Sequence, residues 1–488
     1  MTNSRTPVLV GVGQVVYRSK DPADAKEPVE MMLDACRNAE QDTGTYLLQG
    51  VQSVRVIRGV WNYQNPARYI AEQVGVPLAQ TIGTLFGGNQ VQAMVNKTAQ
   101  EILAGDLDLV LITGAENGYS ASKARKEGRT LAAKELAGEP DEMMGSQQPE
   151  HHDFEVAKGI RQAIQVYPMY ENAIRHQNGE TVAGHLERVS GLWARFNDVG
   201  LENPNAWIQD DYSAEDIRTP SAANRPISFP YPKLMNANNA VDMSAALVMC
   251  SVEKARSLGI SEERWVYPHA GAQGYDHFCA SVRYDFYSSP AVRLAGARLM
   301  ELADTSPNEL AYVDLYSCFP AIVQVAAKEL GLSEDRDLTV TGGLTFGGGP
   351  LNNYVMHSVA RTVELLRGNP GTLGLVTANG GNIYKHAMGI YSTAEPKQDF
   401  QFANVQDEID ALPSREVLAE YDGDVTLEGY SVMYGGEVPN IAHCACLTPA
   451  GERTWANSQD VDLMTAMTRE EFCGRAARIS QSGELTVS

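Results

Sequence analysis

The sequence predicts an α/β protein made of two similar halves, interrupted by a long excursion and followed by a small all-β domain. One phrase, TLFGGNQVQAMVNKTAQEILAGDLDLVLITGAE at residues 84–116, runs from a glycine-rich turn through an amphipathic helix into a buried strand. A second, LTFGGGPLNNYVMHSVARTVELLRGNPGTLGLVTANG at residues 344–380, repeats that plan, with Phe86 and Phe346 leading the two glycine runs. A repeat of this size implies two related units packed face to face, with the glycine turns meeting at their interface.

The first half, residues 1–116 with 236–255, opens on the near-continuous apolar strand TPVLVGVGQVV, and an apolar-periodic helix follows over 28–39. VQSVRVI reads as a strand, PARYIAEQVG as a helix, 81–83 as a short strand, 89–104 as a helix and LDLVLITG as a strand. This alternation predicts a parallel sheet covered on both faces. Residues 117–235 are polar and rich in Asp, Asn, Pro and aromatics, with helical pieces such as FEVAKGIRQAIQVYPMYENAIRHQ. A structureless loop of that length is improbable, so a loop domain with its own small core is expected. The sheet resumes at 245–250.

The second half, 256–400, repeats the alternation: WVYPHAGAQG, AVRLAGARLMELA, AYVDLYS, FPAIVQVAAKELGL, the glycine turn, a helix over 353–366, then the strands LGLVTANGG and IYKHAMGIYS. Residues 405–488 form short strand-like segments broken by Gly and Pro, with one short helix signal, REEFCGRAAR. A barrel of the oligosaccharide/oligonucleotide-binding type fits that texture.

The chain has 488 residues, 43% of them apolar, enough to fill ordinary cores. No stretch approaches the roughly 20 apolar residues of a membrane helix. The N-terminus leads straight into a strand without a signal-peptide core, and Leu-Thr-Val-Ser is no peroxisomal address, so a cytoplasmic location is the expectation. Sixty-one acidic against 39 basic residues give −22, which argues against nucleic acid as a partner. The local exception is Lys123, Arg125, Lys126 and Arg129, read either as a solvated face or as a seat for a phosphate-bearing ligand. Seven scattered cysteines suit reduced thiols. Cys444 and Cys446 would share a strand face as packed thiols, and no metal is expected there or at His151 and His152.

A helix N-terminus preceded by glycines offers free N–H groups, so Gly87, Gly88 and Asn89, and Gly347 to Gly349, are candidate anion or oxyanion seats, against the reading that they only let helix and sheet approach. Tyr354 and His357, three apart on a helix, share a face. Lys385 and His386 alternate on a strand, so one of the two reaches the cleft.

Over residues 7–391 the order of motifs resembles the thiolase superfamily. QAMVNKTAQEILAGDLDLVLITGAE is similar to the nucleophile helix and its strand, and DLYSCFPA to the motif that holds an Asn-Glu or His-Asp pair. TGGLTFGGGPLNNYVMH is similar to the Gly-His-Pro turn, and TANGGNIYKHAMG to the final Cys-x-Gly turn. The resemblance puts the nucleophilic cysteine at Gly87, the activating histidine at Gly349 and the second cysteine near Ala378 or Asn379. All three side chains are missing, so a covalent acyl-enzyme by the usual route is not expected. Backbone amides at Gly87, Gly88, Gly380 and Gly381 remain able to polarise a thioester carbonyl. Tyr316 stands where the family has Asn or His, and Cys318 lies two residues on.

The resemblance implies a coenzyme A or acyl-CoA ligand with no covalently bound cofactor. It leaves three readings open. One is an acyltransferase or retro-aldol enzyme of lipid metabolism, labelled acetyl-CoA acetyltransferase in similar proteins, with Tyr316 as acid/base assisted by His386 or His357. The second is a non-catalytic acyl-CoA-binding protein. The third is a structural subunit. Both a homodimer and a monomer remain open, and the barrel is read as fused, whereas in related aldolases it is a separate partner with a zinc ribbon.

Overall fold

Strands whose residues are apolar on both faces need helices above and below, and the chain supplies them in alternation. The computed structural model describes residues 3–19, 21 and 24–487. The first half contains β1 (Pro7–Val16), α1 (Pro28–Thr43), β2 (Ser53–Val56), α2 (Pro66–Gln73), β3 (Gln80–Thr84), α3 (Gln90–Ala104) and β4 (Leu109–Asn117). The excursion adds α4 (Gly118–Lys126), β5 (Glu142–Met144), α5 (Asp153–Ala157), α6 (Ala163–Asn178), α7 (Val182–Glu202), α8 (Ala214–Arg218), β6 (Pro226–Phe229) and β7 (Tyr231–Pro232). The first sheet is completed by β8 (Asp242–Ser251), which leads into α9 (Val252–Ser257).

The second half comprises β9 (Tyr267–Tyr275), α10 (Pro290–Leu302), β10 (Leu310–Asp314), α11 (Pro320–Leu330), α12 (Tyr354–Gly368), β11 (Leu373–Gly380), β12 (Lys385–Ser392) and β13 (Gln401–Asn404). The C-terminal part comprises α13 (Gln406–Asp410), β14 (Gly423–Gly435), β15 (Val438–Leu447), β16 (Arg453–Ser458), α14 (Val461–Met467), β17 (Ala476–Ile479) and β18 (Leu485–Val487).

Local sequence explains the helix limits. Pro28 and Pro320 sit in the first turns of α1 and α11, where the missing N–H costs nothing. Gly44, Gly105 and Gly331 end α1, α3 and α11 in the left-handed conformation.

Helices α3 and α12 lie between the two halves and touch strands of both sheets. Their apolar faces (Val91, Met94, Ile102; Val355, Val359, Val363) share one buried core with Ile112, Leu247, Val376 and Ala387. Each such side chain contributes about 1.5–3 kcal/mol through burial. Helix α1 covers the outer face of the first sheet, and α10 and α11 that of the second. The result is five layers, helix–sheet–helix–sheet–helix.

The strand order is β1-β8-β4-β2-β3-β5 in the first sheet and β10-β11-β12-β9-β13 in the second. Neither is all-parallel, contrary to the sequence expectation. β8 runs antiparallel to β1 and β4, and β12 antiparallel to β11 and β9. The turn at 381–384 is too short for a crossover, so β11 and β12 must be antiparallel. β8 returns from the excursion without a crossover helix to fix its direction.

Segments beyond the two halves complete the sheets. β5 of the excursion pairs with β3 at the sheet edge, β13 pairs with β9, and β6 pairs with β14 of the C-terminal domain. That domain is a small β unit with its own apolar core, which includes both Cys444 and Cys446. The helix expected at REEFCGRAAR does not form. Gly474 takes a φ of 81°, which breaks a right-handed helix, and the segment enters β17, while the helix lies earlier, at α14. Arg453 fastens this domain to the second half. Its fully buried guanidinium donates to the carbonyls of Ala280 (2.9 Å) and Ser281 (2.7 Å) and pairs with Glu428 (2.7 Å).

Candidate functional site

The turn before α3 brings Gly87, Gly88 and Asn89 against the end of β11. A side chain at Gly88 would begin 2.4 Å from the Asn379 carbonyl oxygen and 2.5 Å from the Tyr316 hydroxyl. Asn89 Oδ1 would lie 2.6 Å from a Cβ at Gly87 and 2.5 Å from one at Gly380. The Tyr316 phenol and the Asn89 amide therefore fill the room that side chains at the three glycines would need. The Gly87 N–H is already used, donating to Asn352 Oδ1 at 3.2 Å.

Tyr316 follows β10 and is held from two sides. Its backbone N–H donates to Thr377 Oγ1 at 2.9 Å, and its ring stands edge-on to Tyr354 at 5.6 Å and 88°. Tyr354 in turn donates to Asp314 at 3.0 Å, and Asp314 also accepts from Ser358 at 2.8 Å and the Val340 N–H at 2.9 Å. Burial, with Cys318, Tyr354 and Glu150 nearby, raises the Tyr316 pKa well above its ordinary value. The phenol thus stays protonated and acts as a donor. Cys318 lies beside the Tyr167 hydroxyl, and burial pushes its thiol up to about 12, which keeps it from acting as a thiolate nucleophile.

The register of β12 decides between its two candidates. Lys385 faces the glycine turns: its Nζ lies 3.0 Å from Glu150 Oε1 and 3.5 Å from the Phe86 carbonyl, and its side chain is 2% exposed. His386 points to the opposite face of the sheet, 3.7 Å from Asp276, whose carboxylate accepts the N–H of Ala291 in α10 at 2.9 Å. Burial lowers the His386 pKa to about 4. His357 is also elsewhere. Its Nδ1 meets Gln14 of β1 at 2.8 Å, and burial lowers its pKa to about 3. Tyr354 and His357 thus do not converge, because one is turned to Asp314 and the other to β1.

Gly381 has a φ of 66°, and a Cβ there would come 2.8 Å from the Tyr384 ring, so glycine is required. The Gly381 carbonyl accepts from Tyr167 at 3.1 Å and that of Asn382 from Tyr170 at 3.2 Å, both on α6. The excursion therefore fixes the last glycine turn, and its α6 and α7 share one buried core with α10 and α11, so the separate small core expected from the sequence does not form.

Four buried polar atoms at this centre have no hydrogen-bond partner: Asn89 Nδ2 and Oδ1, Gln90 Nε2 and Asn379 Oδ1. Asn89 is fully buried, with the Tyr275 hydroxyl beside it. A cluster of unmet donors and acceptors is what a polar ligand group would satisfy.

A separate cavity of about 610 Å³ lies in the excursion, lined by residues within 208–240 together with Ile164 and Thr345. Its inner wall includes Ala237, whose N–H donates to the Cys318 carbonyl at 3.0 Å. Exposed Arg225 and Lys233 stand at its rim. The cluster predicted at Lys123 to Arg129 is divided. Lys123 stacks on Tyr119 at 5.5 Å, Arg125 and Lys126 are exposed, and Arg129 pairs with Glu127 at 3.4 Å beside the acidic Glu27, Glu30 and Asp34. His152 caps α5 and His151 meets Glu155 at 3.3 Å. Among the described residues no group of three or more His, Cys, Asp or Glu has the arrangement for a metal.

Sequence reasoning included Asn89 only as part of a backbone anion seat, without its side-chain amide, and missed Glu150. The Asn89 amide could have been found from the nucleophile count, being two residues past Gly87. Glu150 carries no local signal, because its partner lies across the fold.

The layered halves, the duplicated turns and the central α3 and α12 define a thiolase-like protein. More particularly, the chain belongs to the SCP2-thiolase-like protein type 1 family. It is 31% identical to the monomeric SCP2-thiolase like protein type 1 of Mycobacterium smegmatis, with 100% of both chains covered and a TM-score of 0.85. Residues 404–484 match the family described as the thiolase-like protein type 1 additional C-terminal domain. The fold is also that of the Ltp2-ChsH2(DUF35) aldolase, at 20% identity and a TM-score of 0.61, covering 80% of this chain and 99% of that one. The acetyl-CoA acetyltransferase of Methanocaldococcus jannaschii is 24% identical over 166 residues, 34% of this chain and 40% of that protein. The chain thus spans less than half the length of that relative. Among the described residues no helix is long and apolar enough to cross a membrane.

Proposed function

We propose that the protein binds an acyl-CoA and acts at its C2–C3 bond without a cysteine nucleophile. The observation that carries this reading is the cluster of unpartnered polar atoms on Asn89, Gln90 and Asn379 around the protonated Tyr316 hydroxyl. A thioester carbonyl seated there would accept from Tyr316 and the Asn89 amide, so negative charge developing on its oxygen would be stabilised. The phosphate-bearing end of the ligand would lie at Arg225 and Lys233, at the mouth of the loop-domain cavity.

For a 3-hydroxyacyl-CoA the retro-aldol step balances without a co-reactant. Glu150 takes the proton from the C3 hydroxyl, the C2–C3 bond breaks, and the electron pair passes into the thioester as an enolate. The same carboxyl returns the proton to C2. The products are a carbonyl compound and a shortened acyl-CoA. Lys385, paired with Glu150, balances the charge as the proton moves.

A second reading, an acyl-CoA-binding protein without turnover, is favoured by the Gly87 N–H being bound to Asn352 and so lost to an oxyanion hole. Mass spectrometry of products from a panel of 3-keto- and 3-hydroxyacyl-CoAs separates the two. Shortened acyl-CoA, lost in Tyr316→Phe and Glu150→Gln, supports the enzyme. Binding without product across the panel leaves the second reading.

A further inference from the structure

A second cavity, of about 420 Å³, opens on the other side of the first glycine turn, between β3 and the helix α2. Trp61, Tyr63, Leu85, Phe86, Pro140 and Met143 supply its apolar lining. Pro140 and Met143 come from the segment that adds β5 to the edge of β3, so the excursion builds one wall. Phe86 and Met143 are 47% and 50% exposed, large apolar side chains left facing the same space.

The cavity and the polar centre share one thin partition. Phe86 puts its side chain in the cavity and its carbonyl 3.5 Å from Lys385 Nζ. Asn352 ties the two sides together, donating to the carbonyl of Arg58, which lines the cavity, at 2.8 Å while accepting from the Gly87 N–H. A ligand whose carbonyl lies at Asn89 and Tyr316 therefore has an apolar space one residue away. On that reading the coenzyme end would lie apart from this cavity, at Arg225 and Lys233 of the excursion.

We infer that the β3–β5 cavity holds the acyl chain of the thioester and selects for its length and apolar character. The inference rests on the acyl-CoA reading given above. Burying one methylene gives about a fourfold gain in affinity. A series of S-alkyl-CoA thioethers, which cannot be cleaved at a thioester, measures that gain by calorimetry from S-methyl upward.

The expected result is a gain of about fourfold per methylene until the cavity is full, then a plateau. Met143→Trp, a change at a half-exposed site, fills the cavity and should flatten the series from the shortest chains upward. Phe86→Ala should move the plateau to longer chains. S-methyl-CoA binding with no length dependence would overturn the inference and leave the acyl-CoA reading standing. A length dependence untouched by both variants would place the chain elsewhere and overturn it too. No binding at any length, by the thioethers or by the matching saturated acyl-CoAs that carry the thioester carbonyl, would refute the acyl-CoA reading itself, and this inference with it.

Discussion

Phe86 and Phe346 lead the same glycine pattern, yet Phe86 is 47% exposed at an open cavity whereas Phe346 is fully buried. The second turn is sealed by the excursion: Cβ atoms at Gly343 and Gly348 would come 2.7 Å from Phe196 and 3.1 Å from Trp207, and Trp207 and Ile208 donate to the carbonyls of Gly347 and Phe346. The first turn meets Tyr316 and Asn379 at Gly88 and lines one open cavity with Leu85 and Phe86, while Thr345 is the second turn's contribution to the excursion's cavity. The two turns share one sequence pattern, and the excursion between them buries Phe346 of the second while leaving Phe86 of the first half-exposed. A glycine run identifies a close approach, and only its neighbours decide whether a ligand or a packed side chain makes it.

The sharpest test of this contrast is the pair Phe346→Ala and Phe86→Ala. Truncating the buried ring should cost about 3–5 kcal/mol in urea unfolding, and the exposed one less than about 1 kcal/mol. Equal losses would break the comparison. Gly88→Ala comes next, because its Cβ would meet a backbone carbonyl that cannot yield. A loss of about 1–3 kcal/mol is expected, together with loss of CoA-thioester binding, and unchanged binding would remove Tyr316 and Asn379 from the site.

The halves should also differ in their response to pH. Glu116 ends the strand after α3, and burial raises its pKa to about 7. With its folded pKa above the unfolded one, its contribution is complete below about 4.5 and is lost as pH rises through 7. Glu116→Gln, which can still accept the Val60 N–H, should therefore raise stability at pH 8 by up to about 3 kcal/mol and leave pH 4 unchanged. His357, in the helix after the second turn, has the opposite sign. Its depressed pKa makes stability fall as pH drops from 6.5 toward 3, so His357→Gln should flatten the acid side. Thermal scans from pH 4 to 8 read both.

The smallest effect concerns the coenzyme's charge. Arg225→Ser with Lys233→Ser should weaken CoA binding several-fold in low salt, and Arg125→Ser with Lys126→Ser should change it by less than about twofold. The reverse result would return the phosphate seat to α4.

The sequence by itself determined most of the elements and the duplicated halves, with Gly87 and Gly349 in the two turns. Apolar periodicity, proline and glycine punctuation and motif order are local properties, and they survive folding. Tertiary structure decided what local signals do not carry. The direction of β8 depends on a return from a distant excursion. The choice of Lys385 over His386 depends on which sheet face meets α3 and which meets α10. The pairing of Lys385 with Glu150 joins residues far apart in sequence, and His357 was turned to Gln14 by packing on β1. Even the glycines gained their meaning there, since an open turn and a sealed one are spelled alike until the loop domain folds over one of them.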